Sequence, residues 1–198
     1  MPYSPNSLFR KGVNWQMNAC IGTNGGPHDY RAYADGFFDA AEHLIESIRS
    51  RREPRLHIDT AIYPIVQSYR HGLELSLKHL LIESTLVLRS NPELPMIHDL
   101  GELWRDLKTR ISELPAPVVE ADDVLKLEQA ISDFSCIDPI GMVFRYPEDR
   151  KRQLHIQTSE LLNLEVLEEG MKSVRQITEN MRSSISYLIT LSHEEDRA

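Results

Sequence analysis

Cysteine is scarce in this chain, and long apolar runs are missing. Cys20 and Cys136 are the only two cysteines among 198 residues. Two thiols this far apart form neither a disulfide framework nor a metal-ligand spacing. A reducing compartment, and so a cytoplasmic location, is the simpler expectation. No run of about 18 apolar residues occurs, so no membrane-spanning helix is expected. Residues 1–17 hold no apolar core segment and no small-residue cleavage site, and do not read as a secretion signal. Gly22-Thr23-Asn24-Gly25-Gly26 lacks the Lys-Ser/Thr of a phosphate-cradling loop and the glycine spacing of a dinucleotide loop, so it reads as a turn. No Gly-x-Ser-x-Gly stretch marks a nucleophile. Acidic residues outnumber basic ones and give a net charge of −8, which disfavours non-specific coating of nucleic acid but leaves room for a local basic site.

What the chain does have is helical periodicity. Hydrophobic residues make up 41% and charged residues 26%, enough to bury a core in one domain without disulfides or structural metals. Residues 1–30 read as an irregular N-terminal arm, with a strand or tucked turn around Val13 to Ile21 and with Phe9 and Trp15 as anchors on the core. Residues 31–192 read as a helical bundle domain. Phe37, Phe38, Ala41, Leu44, Ile45 and Ile48 recur at three and four residues, and that helix should end in the run Arg49 to Glu53, before Pro54. The second helix spans about 58–88 and is apolar on several faces, which places it centrally. Its N-cap is expected at Asp59 or Thr60, with Pro64 in the first turn or at a kink. Asn91-Pro92-Glu93-Leu94-Pro95 breaks the pattern. Asp99 and Glu102 then form a capping box for a third helix that Pro115 and Pro117 end. A fourth helix covers about 118–135. A fifth steps by threes and fours from Leu164 to Leu191. The fold class is therefore all-α, an up-and-down bundle of about five helices.

Two constellations carry chemistry. Arg70, Glu74 and Lys78 are four apart on one face of the second helix, with His71 beside them. They read as an internal ion-pair ladder or a solvated seam of the helix, or else as a polar pocket in the bundle. The second lies in the irregular stretch before the last helix. Arg145, Arg150, Lys151, Arg152 and His155 crowd into eleven positions beside Phe144 and Tyr146, diluted by Glu148 and Asp149. Cations that neutralise phosphate and rings that stack on bases suit single-stranded RNA or a nucleotide. A histidine can move protons near neutral pH. A solvated charged loop is the competing reading. His98 with Asp99, and His57 with Asp59, are too sparse for a metal site. No metal or cofactor is expected.

The stretch Tyr69 to Leu81, followed by His98-Asp99-Leu100, resembles the HEPN helical bundles, which commonly carry Glu and Lys in a central helix and His-Asp-Leu at the opening of the next. Arg150, four residues and then His155 match the spacing of that family's ribonuclease motif, although Lys151 stands where a polar residue such as Asn, Asp or His tends to follow the Arg. The resemblance implies a metal-independent endoribonuclease of a toxin–antitoxin or phage-defence system, acting as a homodimer on RNA. Arg150 and His155 would be catalytic, with Arg145, Tyr146, Arg70, His71, Glu74 and Lys78 in support. The alternative is a non-catalytic bundle that binds a protein partner or a nucleotide in the same setting. An enzyme should present Arg150 and His155 to one exposed cleft. A binding module would leave them apart or held in ion pairs.

Overall fold

The computed structural model describes residues 8, 10–22, 29–50, 57–90, 97–158 and 161–195. The expected anchor Phe9, the turn from Thr23 to Gly26, the run Arg51 to Pro54 and the break Asn91 to Pro95 lie outside these residues. Among the described residues, five α-helices follow a short 3-10 turn at Trp15–Met17: α1 (Tyr30–Arg49), α2 (Ile58–Val87), α3 (Leu100–Ser112), α4 (Ala121–Ile137) and α5 (Leu164–Glu195). Among the described residues there is no strand, and a single antiparallel bridge joins Glu148 to Leu154. None of the described helices is long and apolar enough to cross a membrane.

The apolar periodicity explains the packing. α1 buries Ala34, Phe38, Ala41 and Ile45, one face at helical spacing. α5 buries Met171, Val174, Ile177, Met181 and Ile185 in the same way. α2 is apolar on several sides and packs against α1, α3 and α5, while α4 completes the ring between α3 and α5. Contacts run in opposite order along α1 and α2. Phe38 meets the Tyr69 ring at 6.1 Å, whereas the Cβ that Gly72 lacks would lie 3.4 Å from the Ala34 carbonyl and 3.0 Å from Phe38. Gly72 therefore lets α1 and α2 approach closely. Arg49 pairs with Glu168 and Arg31 faces Glu179 at 3.7 Å, so α1 and α5 are also antiparallel.

The helix ends show where local chemistry differs from the expectations. Asp29 caps α1 by accepting from the Ala32 N–H at 3.1 Å. α2 starts one residue before Asp59, because the His57 ring accepts from the Asp59 N–H at 3.3 Å and His57, not Asp59 or Thr60, is the N-cap. Pro64 consequently sits past the first turn, inside a helix that continues through it. The expected capping of α3 holds at Asp99, whose carboxylate accepts from the Glu102 N–H at 2.9 Å. α4 begins at Ala121, with Glu120 at its N-cap position, later than the periodicity suggested. Trp15 does not anchor the arm: it is 75% exposed, with its neighbours Val13 and Met17 also exposed.

Candidate functional site

The polar face of α2 is buried. Arg70 and Glu74 are 2% exposed and Lys78 is 7% exposed. Glu74 sits at the centre. It accepts from Lys78 Nζ at 2.8 Å and from Arg70 Nη1 at 3.4 Å, and His71 Nδ1 lies 3.8 Å away. His98 Nδ1 lies 2.8 Å from Glu74 Oε1, and an ionised carboxylate can only accept, so that nitrogen carries the proton. Burial alone pushes the Glu74 carboxyl up. The nearby His71, the hydrogen bonds with Lys78 and His98 and the charge of Lys78 outweigh it and hold the group down at about 2. The Arg70 guanidinium is lowered by burial, against the pull of Asp138 and Glu74.

Arg70 reaches beyond its own helix. Its Nε donates to the Asp138 carbonyl at 2.9 Å, and its Nη2 donates to the carbonyls of His98 at 2.9 Å and Pro139 at 2.8 Å. Asp138 is fully buried, and its Oδ1 accepts from the Met142 and Val143 N–H groups at 2.6 and 3.0 Å. Gly141 has φ +77°, and a Cβ there would lie 2.7 Å from Arg70 Nη1. Glycine is the residue that tolerates both the left-handed backbone and this approach. The ladder thus ties α2 to the segment before α3 and to the loop after α4. Of the sequence readings, burial and pairing match the internal ion-pair ladder and not the solvated seam.

The loop after α4 builds the open site. Asp149 Oδ1 accepts from the Lys151 and Gln153 N–H groups at 2.7 and 3.0 Å, which folds 149–153 into a tight turn. Arg152 takes φ +65° there and pairs with Glu148 at 3.2 Å. The returning segment is held by the His155 N–H, which donates to the Pro147 carbonyl at 3.1 Å. A cleft of about 330 Å³ opens between this loop and α2, lined by Tyr63, Phe144, Arg145, Tyr146, Pro147 and His155 among others. A larger lobe of about 760 Å³ shares Tyr63, Phe144 and His155 and adds Asp59, Cys136 and Gln157. Phe144 is buried with its ring 6.4 Å from that of Tyr63, which is 44% exposed, while Tyr146 is 52% exposed.

The sequence-derived candidates therefore separate into three places. Arg70, His71, Glu74 and Lys78 belong to the ladder, with His71 also edge-on to Phe37 at 4.4 Å. Arg145, Tyr146 and His155 share the cleft. Arg150 is exposed on the turn and lines neither lobe. Sequence reasoning missed Tyr63 as a cleft wall and Asp138 and Gly141 as its support. Tyr63 was hidden because a tyrosine in the first two turns of an apolar helix looks like core. The Asp138-Pro139 and Gly141 punctuation was the available signal for the other two. Among the described residues, no three His, Cys, Asp or Glu side chains are grouped to hold a metal ion. Compared with protein-family models, with curated proteins and with solved structures, the chain finds no match.

Proposed function

We propose that this chain is a helical-bundle binding module that takes a nucleotide unit of single-stranded RNA into the cleft between Tyr63 and His155. The observation that supports this reading most is the cleft's lining, which combines exposed tyrosine rings, the Arg145 guanidinium and the His155 imidazole. Every base offers a face for stacking, and a guanidinium beside aromatic rings suits the adjoining phosphate. The two lobes differ in charge. Arg145 lines only the smaller lobe and Asp59 only the larger. A phosphate belongs by Arg145, and hydroxyl or amino donors of the ribose or base belong by Asp59. The separation of Arg150 from His155 fits a binding module, which does not need them in one cleft.

The test is a titration of a short fluorescent oligoribonucleotide with the purified chain, read by anisotropy in the presence of a chelator. Loss of one stacked base costs about 1–3 kcal/mol, so Tyr63→Ala is expected to weaken binding roughly 5- to 150-fold. Absence of saturable binding by the wild type would remove the proposal.

One observation keeps RNA cleavage as a second reading: His155 lies in the cleft and not on the exposed turn. Cleavage without a metal would use His155 to take the ribose 2′-hydroxyl proton or to protonate the leaving oxygen, with Arg145 stabilising charge on the phosphate. One protomer offers one such histidine, so a homodimer would supply the second proton-transfer group. Assignment to a toxin–antitoxin or phage-defence system, with a protein partner, rests on the HEPN resemblance, and a cytoplasmic location on the scarcity of cysteine. Incubation with total RNA and chelator separates the readings. Products that appear with the wild type and vanish in His155→Ala favour cleavage.

A further inference from the structure

The cleft's smaller lobe takes its basic and aromatic lining from residues 143–147, and these follow directly on the segment that Arg70 holds. The connection can be traced atom by atom. Arg70 donates to the carbonyls of Asp138 and Pro139 at 2.9 and 2.8 Å. The Asp138 carboxylate, 3.9 Å from Arg70 Nε through its Oδ2, accepts from the N–H groups of Met142 and Val143 through its Oδ1. Those two amides fix the backbone that enters Phe144, Arg145 and Tyr146. Gly141 completes the fit, since its missing Cβ leaves the space that Arg70 Nη1 approaches.

We propose that Arg70 is the positioning residue of the cleft: through Asp138 and Gly141 it sets where Phe144, Arg145 and Tyr146 stand opposite Tyr63. The assignment rests on the RNA-binding reading for its functional consequence but not for its geometry. It also divides the ladder into two parts with different duties. Arg70 contacts the cleft loop, whereas Lys78, two turns further along α2, hydrogen-bonds and pairs with Glu74 alone among the described residues. Both ends stabilise the fold, and only one shapes the cleft.

Cys136 supplies a readout that needs no ligand, because it is exposed and lines the larger lobe. In a Cys20→Ser background its rate of reaction with a thiol reagent reports how the loop stands over it. Three variants are compared, each measured on folded protein well below its melting temperature: Arg70→Lys, Gly141→Ala and Lys78→Met. A lysine can present one ammonium where the guanidinium fork served several carbonyls. The Gly141→Ala methyl group meets the guanidinium without removing it. Arg70→Lys and Gly141→Ala are expected to change the Cys136 rate several-fold and to weaken oligoribonucleotide binding about 10-fold or more. Lys78→Met is expected to lower the melting temperature and leave both readouts near wild type. Rates and affinities that instead follow melting temperature alike in all three variants would overturn the assignment. If the wild type binds no RNA but the Cys136 rates divide as expected, the positioning role stands and the RNA reading fails.

Discussion

His98 Nδ1 lies 2.8 Å from Glu74 Oε1, joining two residues 24 positions apart and attaching the start of α3 to the centre of α2. His98 is 65% exposed at its side chain and Glu74 only 3%. The imidazole therefore closes the outer end of a buried charge network whose other members are Arg70, Lys78 and His71. Charges this deep are tolerated only when each is paired, since each ion costs several kcal/mol to desolvate. Glu74→Gln removes the carboxylate that Arg70 and Lys78 share. The expected result is a loss of about 3–5 kcal/mol, as for other broken buried pairs. Chemical denaturation of the variant beside the wild type measures it, and a loss below about 1 kcal/mol would show that the network carries little of the fold.

The same carboxylate gives stability a pH dependence. Glu74 is held down at about 2 in the folded chain, against an ordinary value of 4.5. A group depressed by folding stabilises above its unfolded value, and that contribution fades as pH falls through the folded one. Folding stability should therefore fall between pH 5 and about 2, by about 3 kcal/mol from this residue. In Glu74→Gln the fall over that window should be correspondingly shallower. Denaturation midpoints recorded across the window check both curves.

The α3 cap offers a smaller and more local effect. Asp99 accepts from the Glu102 N–H at 2.9 Å. Asp99→Ala should cost about 1 kcal/mol, the usual penalty for deleting a side-chain N-cap. Because α3 carries the buried Leu100, Leu103, Trp104 and Leu107, the loss should appear in the global unfolding transition. A separate early fraying of one helix would be the contrary outcome.

The two arginines of the basic loop should behave differently. Arg145 lines the cleft, while Arg150 stands exposed on the turn. Arg145→Ala is expected to weaken oligoribonucleotide binding about 10-fold and to reduce its salt dependence by about one phosphate contact. Arg150→Ala should leave affinity within about 3-fold of wild type at moderate salt, where a charge outside the cleft is screened from the bound RNA. Equal losses in both variants would place the RNA along the turn and not in the cleft.

The helices were legible because burial follows three- and four-residue spacing: Phe38, Ala41 and Ile45 in α1, and Met171, Val174 and Ile177 in α5, are core positions that periodicity alone identifies. The α3 cap was legible because Asp99 acts on a backbone N–H three residues away. The cap of α2 was not, since a histidine there competes with a better-known capping residue two positions on. The ladder could be named from the spacing of Arg70, Glu74 and Lys78, yet its reach to His98, Asp138 and Pro139 depends on how α3 and α4 return to α2. The candidate site divides on the same line. His155 and Arg145 are ten positions apart in sequence and line the same cleft. Arg150 lies between them, but the turn made by Asp149 carries it away from the cleft. Tyr63, from a helix some 80 residues earlier, becomes a wall only when the bundle closes.

The most direct test of the cleft as the binding site is amide chemical-shift mapping of the ¹⁵N-labelled chain during titration with a short single-stranded oligoribonucleotide. The expected perturbations centre on Tyr63, on 143–147 and on 154–157, and leave Arg150 to Arg152 and the outer face of α3 near their free positions. Shifts confined to the 150–152 turn, or spread over α3 and the N-terminal arm with Tyr63 unmoved, would contradict the account.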